Sequence, residues 1–319
     1  DIVNWLMKKE EVLMFKKIVG LCILILASFA LAACTVQKEA NHTPQGLKIV
    51  TSFYPIYSLV KEISGDKNDI RMIGSRSGIH SYEPSAADIK AIYDADIFIY
   101  HSRILESWAG RLKPSLQGSS VKVLEASTKL PLMKVSGFED IDVNQGIDEA
   151  GLYDPHTWLD PVLVGMEAVE IGELLAKSDP TNADFYRKNA SDLARNAQKL
   201  ADTYRLIFSK VSSKTFVTQH TAFSYTAQRF GLKQLGIAGV SEEEPSPRQL
   251  AEIKEFVDTY NVQTIFTEKG VSDKLAQTVA SSTGVDLKVL DPLEADPENN
   301  LTYLENLEKV LETLVQELK

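Results

Sequence analysis

From residue 47 onward, apolar residues fall in short blocks that alternate with segments of helical period. The blocks at 47–53, 70–73, 96–100 and 121–124 read as strands. Between and after them come helical segments. One spans 55–64 and is closed by Gly65. One opens at Ser85, with Asp88 three residues on as a capping pair. One spans 161–177, with Pro161 in its first turn. The alternation restarts after residue 210. Strand blocks at 215–218, 232–237, 263–266 and 287–290 are interleaved with helices at 221–230, 246–260 and 272–282, and an amphipathic helix over 301–318 closes the chain. Strands alternating with helices predict an α/β fold, two similar lobes of parallel βα units covered by helices.

The stretch 181–210 stands apart. Thr181 and Asp184 give a helix start, and no glycine or proline follows until Gly231. Phe185, Leu193, Ala197, Leu200, Tyr204 and Phe208 recur at three- or four-residue steps or their multiples, as one apolar stripe. A helix of this length runs to roughly 40 Å. It is read as a rigid strut between an N-terminal lobe over 47–180 and a C-terminal lobe over 211–319, with ligands expected in the cleft where loops leave the strands.

The 319 residues allow two domains, and 44% hydrophobic with 24% charged residues is a globular balance. A formal charge of −10 argues against a nucleic-acid partner. The first segment reads as a leader. Met14-Phe15-Lys16-Lys17 is a positive start, and 18–33 is apolar but short for a membrane span. It ends at Leu31-Ala32-Ala33-Cys34, which resembles a bacterial lipobox and so implies cleavage before Cys34 and lipidation of its thiol. Residues 1–13 lie upstream of this start, so 1–33 is expected to be removed. The polar 34–46, with His42 solvated, reads as a tether. Cys22 lies inside the leader, which leaves no disulfide framework.

The candidate chemistry is in the histidines. His156 lies in Asp154-Pro155-His156-Thr157-Trp158-Leu159-Asp160, where proline keeps each preceding residue out of helix and Asp160 can cap the helix that follows. His80 and His220 have comparable positions, on loops after strands and beside helix starts. Three imidazoles from two lobes suit a d-block divalent ion. A carboxylate would complete a tetrahedron, and Asp291, Glu294 and Glu268 all reach the same edge; spacing does not choose among them. A closed coordination sphere favours carriage over catalysis, because catalytic zinc keeps a position for water.

These motifs resemble a known family, the metal-binding lipoproteins that serve bacterial ABC importers. The resemblance rests on the Leu-Ala-Ala-Cys box, His-Ser-Tyr-Glu-Pro at His80, Asp-Pro-His-Thr-Trp-Leu-Asp at His156 and Asp-Pro-Leu-Glu at Asp291. Val-Thr-Gln-His-Thr-Ala-Phe-Ser-Tyr around His220 and Pro-Leu-Glu-Ala at Glu294 resemble the streptococcal-type laminin-binding, zinc-binding members. The resemblance implies Zn2+ as cargo, held by His80, His156, His220 and Glu294, with Asp291 in reserve as fourth ligand. Glu268 and His101 are expected to support the site by hydrogen bonding or packing. Manganese carriers in the family place a glutamate at His220 and an aspartate as fourth ligand, so His220 discriminates zinc from manganese. The further implications are a lipid-anchored monomer at the outer face of the cytoplasmic membrane, an ABC permease as partner, laminin as a second partner, and no enzymatic activity. The sequence departs from many zinc members at 137–154, which carries six acids and no histidine where those members have a histidine-rich loop.

Overall fold

Ile49, Val50 and Thr51 of β1 (Lys48–Thr51) are all buried, as a strand covered on both faces requires. The computed structural model describes residues 46–74, 78–135, 149–240, 245–269 and 271–319. The leader, Cys34, the tether with His42, and most of the acidic stretch (137–148) lie outside the described residues. β1 pairs in parallel with β2 (Asp69–Met72) on one side and β3 (Ile97–Tyr100) on the other, and β4 (Lys122–Glu125) extends the sheet beyond β3. The second sheet repeats this arrangement. β5 (Thr215–His220) lies between β6 (Lys233–Ala238) and β7 (Thr264–Thr267), with β8 (Asp286–Val289) beyond. The strand orders are therefore 2-1-3-4 and 6-5-7-8. In each sheet the order reverses beside the first strand, and the carboxyl ends at such a reversal open a crevice for ligands.

The helices follow their local signals. α1 (Tyr54–Ser64) has Pro55 in its first turn and ends at Gly65, whose φ of 56° suits a residue without a side chain. α2 (Ala86–Tyr93) begins with the Ser85–Asp88 capping box. α3 (Ser107–Leu116) was not expected, because Gly110 and Pro114 interrupt its pattern. In α4 (Pro161–Ser178), Asp160 Oδ1 accepts from Val162 N at 2.8 Å, so the sequence reading of this cap holds. α5 (Ala183–Phe208) has 26 residues and spans about 39 Å. Its start is later than expected, because a 3-10 turn at Pro180–Asn182 takes the place of the first helical turn. Its buried stripe is Tyr186, Ala190, Leu193, Ala197, Ala201, Tyr204 and Phe208. Phe185 is exposed and Leu200 only half-buried, since α4 packs against the face one residue further round. That packing is close. A Cβ on Gly172 of α4 would come within 2.4 Å of Ala190 Cβ.

In the second lobe, α6 (Ser224–Phe230) starts three residues later than expected. α7 (Pro247–Thr259) carries the Ser246–Gln249 capping box, and α8 (Lys274–Thr283) ends at left-handed Gly284. α9 (Tyr303–Leu318) is capped by Thr302 and Glu305. Its start is bonded to the first lobe: Tyr303 N donates to Glu62 at 2.7 Å and Asn306 Nδ2 to Tyr54 OH at 2.9 Å. Its end is bonded to the second, where Thr264 Oγ1 donates to Glu317 at 2.9 Å. Two helices, α5 and α9, therefore span the lobes where the sequence suggested one. No helix among the described residues is long and apolar enough to cross a membrane.

Candidate metal centre

Each candidate donor is positioned by its local chain. His80 follows β2 in a turn closed by Tyr82 N donating to Ile79 O at 3.1 Å. His156 caps a 3-10 turn, Thr157–Leu159, so the expected extended loop is tightened after the histidine. Asp154 Oδ1 accepts from His156 N at 2.9 Å and from His156 Nδ1 at 2.7 Å. His220 is the last residue of β5 rather than part of the following loop. Its Nδ1 meets the Glu268 carboxylate, delivered from the end of β7. Glu294 depends on an unusual turn. Leu293 is buried at φ 57°, a strained conformation for a side-chain-bearing residue. Two bonds hold it: Asp291 Oδ1 accepts from Leu293 N at 2.8 Å, and Trp158 Nε1 donates to Pro292 O at 2.8 Å.

These elements bring His80, His156, His220 and Glu294 together, with one donor atom from each within 4.8 Å of all the others. His156 Nε2 lies 3.3 Å from both His80 Nε2 and His220 Nε2. Glu294 Oε1 lies 3.2 Å from His80 Nε2, 3.4 Å from His220 Nε2 and 3.7 Å from His156 Nε2. A tetrahedron with metal–ligand bonds of 2.0–2.1 Å has edges of about 3.3–3.4 Å. All five separations are close to that value.

The electrostatics suit a cation. Burial holds His156 below its usual value, against the pull of Asp154, and the other two imidazoles push the same way. A neutral imidazole is the form that binds metal. Burial also acts on His220, but Glu268 and Glu294 outweigh it and raise the ring to about 10. Glu294 is held well below the carboxylate range, because its bonds to His220 and His80 outweigh its burial. A metal ion bound through Nε2 of His220 would compete with the ring's proton for that lone pair.

The other candidates are elsewhere. Glu268 lies outside the cluster, with its carboxylate against Nδ1 of His220. Asp291 does not enter the cluster; its carboxylate is used by the Leu293 turn. His101 is fully buried, with Nε2 2.9 Å from Pro155 O and Nδ1 2.9 Å from Glu167. It thus supports the backbone just before His156. Sequence reasoning passed over Asp154 as the partner of His156, although an aspartate two residues before a histidine is a readable signal. It also missed Trp158, which packs on His156 at 4.9 Å and reaches Pro292. Nothing local in the sequence marks the left-handed Leu293.

Comparison with known proteins gives one family. The model described as "ZnuA: Zinc-uptake complex component A periplasmic" matches residues 49–317. The chain is 36% identical over 315 residues to the high-affinity zinc uptake system protein ZnuA of Bacillus subtilis, covering 96% of this chain and 99% of that protein. It is 35% identical over 308 residues to the zinc-binding lipoprotein AdcA of Streptococcus pneumoniae, covering 95% of this chain but only 60% of AdcA. A Zn(II)-bound variant of AdcAII from Streptococcus pneumoniae superposes with a TM-score of 0.81 at 59% identity, covering 86% of this chain and 99% of that one. The laminin-binding protein Lmb of Streptococcus agalactiae, described as a bifunctional protein with adhesin and metal-transporting activity, has a TM-score of 0.79 at 55% identity and covers 86% and 100%.

Proposed function

This chain belongs to the zinc-uptake complex component A family, and on that premise we propose that it captures Zn2+ with His80, His156, His220 and Glu294 and delivers it to a membrane ABC permease. The observation that carries this reading is the set of donor separations, 3.2–3.7 Å, about the edge of a zinc tetrahedron. Asp154 and Glu268 accept from the Nδ1 atoms of His156 and His220, which turns both Nε2 lone pairs toward one point. With Glu294 they supply three carboxylates around a divalent cation. Three nitrogens and one oxygen favour zinc over manganese, which prefers oxygen ligands and a larger coordination number. Four protein donors fill a tetrahedron and leave no position for a reactive water, so the site is suited to carrying its metal, not to hydrolysis.

We assign the N-terminal lobe to 47–180, the strut to 181–210 and the C-terminal lobe to 211–319. With α5 and α9 both spanning the lobes, capture and release proceed by small loop rearrangements rather than wide closure. Release follows distortion by the permease or protonation of the histidines. The Leu-Ala-Ala-Cys34 box supports a lipid anchor at the outer face of the cytoplasmic membrane, and the chain is assigned as a monomer. Mass spectrometry of the mature lipoprotein and gel filtration of the soluble body test these two points.

The zinc reading is tested by metal analysis and chelator competition. One tight zinc per chain, weakened by Glu294→Gln, supports it; equal affinity in wild type and Glu294→Gln contradicts the assigned site. A second reading follows from Lmb, which is described as having adhesin activity. Laminin binding by the wild-type protein that persists after zinc removal would support an adhesin role independent of the metal.

A further inference from the structure

The segment 154–160 belongs by sequence to the first half of the chain, yet its bonds to α6 tie it to the second. Tyr225 OH donates to Asp154 O at 2.8 Å, and Thr226 Oγ1 donates to Leu159 O at 2.7 Å. Arg229 Nε lies 2.9 and 3.0 Å from the two oxygens of Asp160, and its Nη2 lies 2.8 Å from Oδ2. All three donors sit on α6, the helix that follows His220. Tyr225 and Thr226 are buried, and so is Asp160. The helix therefore grips the segment on both sides of His156.

We propose that α6 is a clamp that fixes His156 to the second lobe, with Arg229 as the positioning residue that sets His156 against His220. The proposal rests on the reading of His156 as a zinc donor. A planar guanidinium engages both oxygens of one carboxylate, and an ammonium cannot reproduce that fork. Asp160 has two tasks, because its Oδ1 also caps α4. Asparagine at this position keeps a good cap and removes the charge that Arg229 grips. Thr226 is independent of both and holds the segment through a buried hydroxyl.

The test compares Arg229→Lys, Asp160→Asn and Thr226→Val by zinc competition against a chelator and by the visible spectrum of the Co2+-loaded protein. Arg187→Ala is the control, since Arg187 pairs with Glu173 on the exposed surface. Loss of a group supporting a metal ligand weakens binding by about 10–100-fold. Arg229→Lys is expected at the lower end of that range, with an altered Co2+ spectrum, and Arg187→Ala with no change. In a His156→Ala background Arg229→Lys should cause no further loss. Unchanged affinity and spectrum in all three variants would overturn the clamp. So would a loss that persists in full without His156. A wild-type protein that takes up no zinc would instead overturn the reading beneath it, and the clamp with it.

Discussion

Trp158→Phe cuts one bond between the His156 segment and the Glu294 turn. The indole is fully buried, stacks edge-on with Phe53 and His101 at 5.1 Å, and donates to Pro292 O. Phenylalanine keeps most of the packing but leaves that carbonyl without its donor. An unsatisfied buried acceptor costs about 1–3 kcal/mol, and the smaller ring adds about 1 kcal/mol of lost contact. A total of about 2–4 kcal/mol corresponds, at about 2 °C per kcal/mol for a body of this size, to a fall in Tm of about 4–8 °C for the metal-free protein. The second consequence is on zinc. Leu293 at φ 57° costs about 1–3 kcal/mol to hold, and in the variant only the Asp291 bond holds it. If zinc must re-form the turn, about 1.4 kcal/mol of binding is lost, a tenfold rise in Kd. Calorimetric unfolding of the metal-free protein and zinc competition measure the two effects separately. Loss of stability with zinc affinity unchanged would refute the argument that Trp158 holds Glu294 in place.

Other changes have equally definite outcomes. Glu268→Gln removes the charge behind His220 and should weaken zinc by about 10–100-fold in chelator competition; it should also lower the Tm of the metal-free protein at neutral pH, where the paired imidazolium loses its partner. Gly172→Ala places a methyl group against Ala190 and should cost about 1–3 kcal/mol in urea unfolding while zinc stoichiometry stays at one. His101 gives a pH signature. Burial lowers its pKa, but Glu167 and Glu106 outweigh this and raise it from 6.5 to about 9. Its folded value is above its unfolded one, so its contribution is complete below about pH 6.5 and is lost as pH rises through about 9. Urea unfolding of the metal-free protein should show this alkaline loss, and His101→Gln should be less stable at pH 6 but flatter between pH 6.5 and 9.

The alternation of strands and helices was legible because each strand is short, apolar and bounded by turn residues, and because the Ser85, Asp160 and Ser246 caps announce their helices. The α5 stripe was misplaced by one residue at its start. Phe185 and Tyr186 are both aromatic, and only the position of α4 decides which one is buried. α3 was hidden because Gly110 and Pro114 break a pattern that tertiary packing of Trp108 and Leu116 restores. At the site, the three histidines stood out as rare residues in loop motifs, although only His220 ends a strand and His156 opens a 3-10 turn. Glu294 could not be separated from Asp291 by spacing, since the choice depends on a left-handed leucine and on an indole 134 residues away in sequence. The bonds from α6 to the His156 segment were out of reach for the same reason, as every partner is distant in the chain.

The central claim, that His80, His156, His220 and Glu294 together hold one zinc ion, is tested most directly by titrating the metal-free soluble body with Zn2+ and Mn2+, beside His220→Glu. The account predicts one tight zinc per wild-type chain, displacement of protons on binding, and weaker zinc or a shift toward manganese in the variant. No zinc in the wild type, or zinc held with the same affinity after His220→Glu, would contradict it.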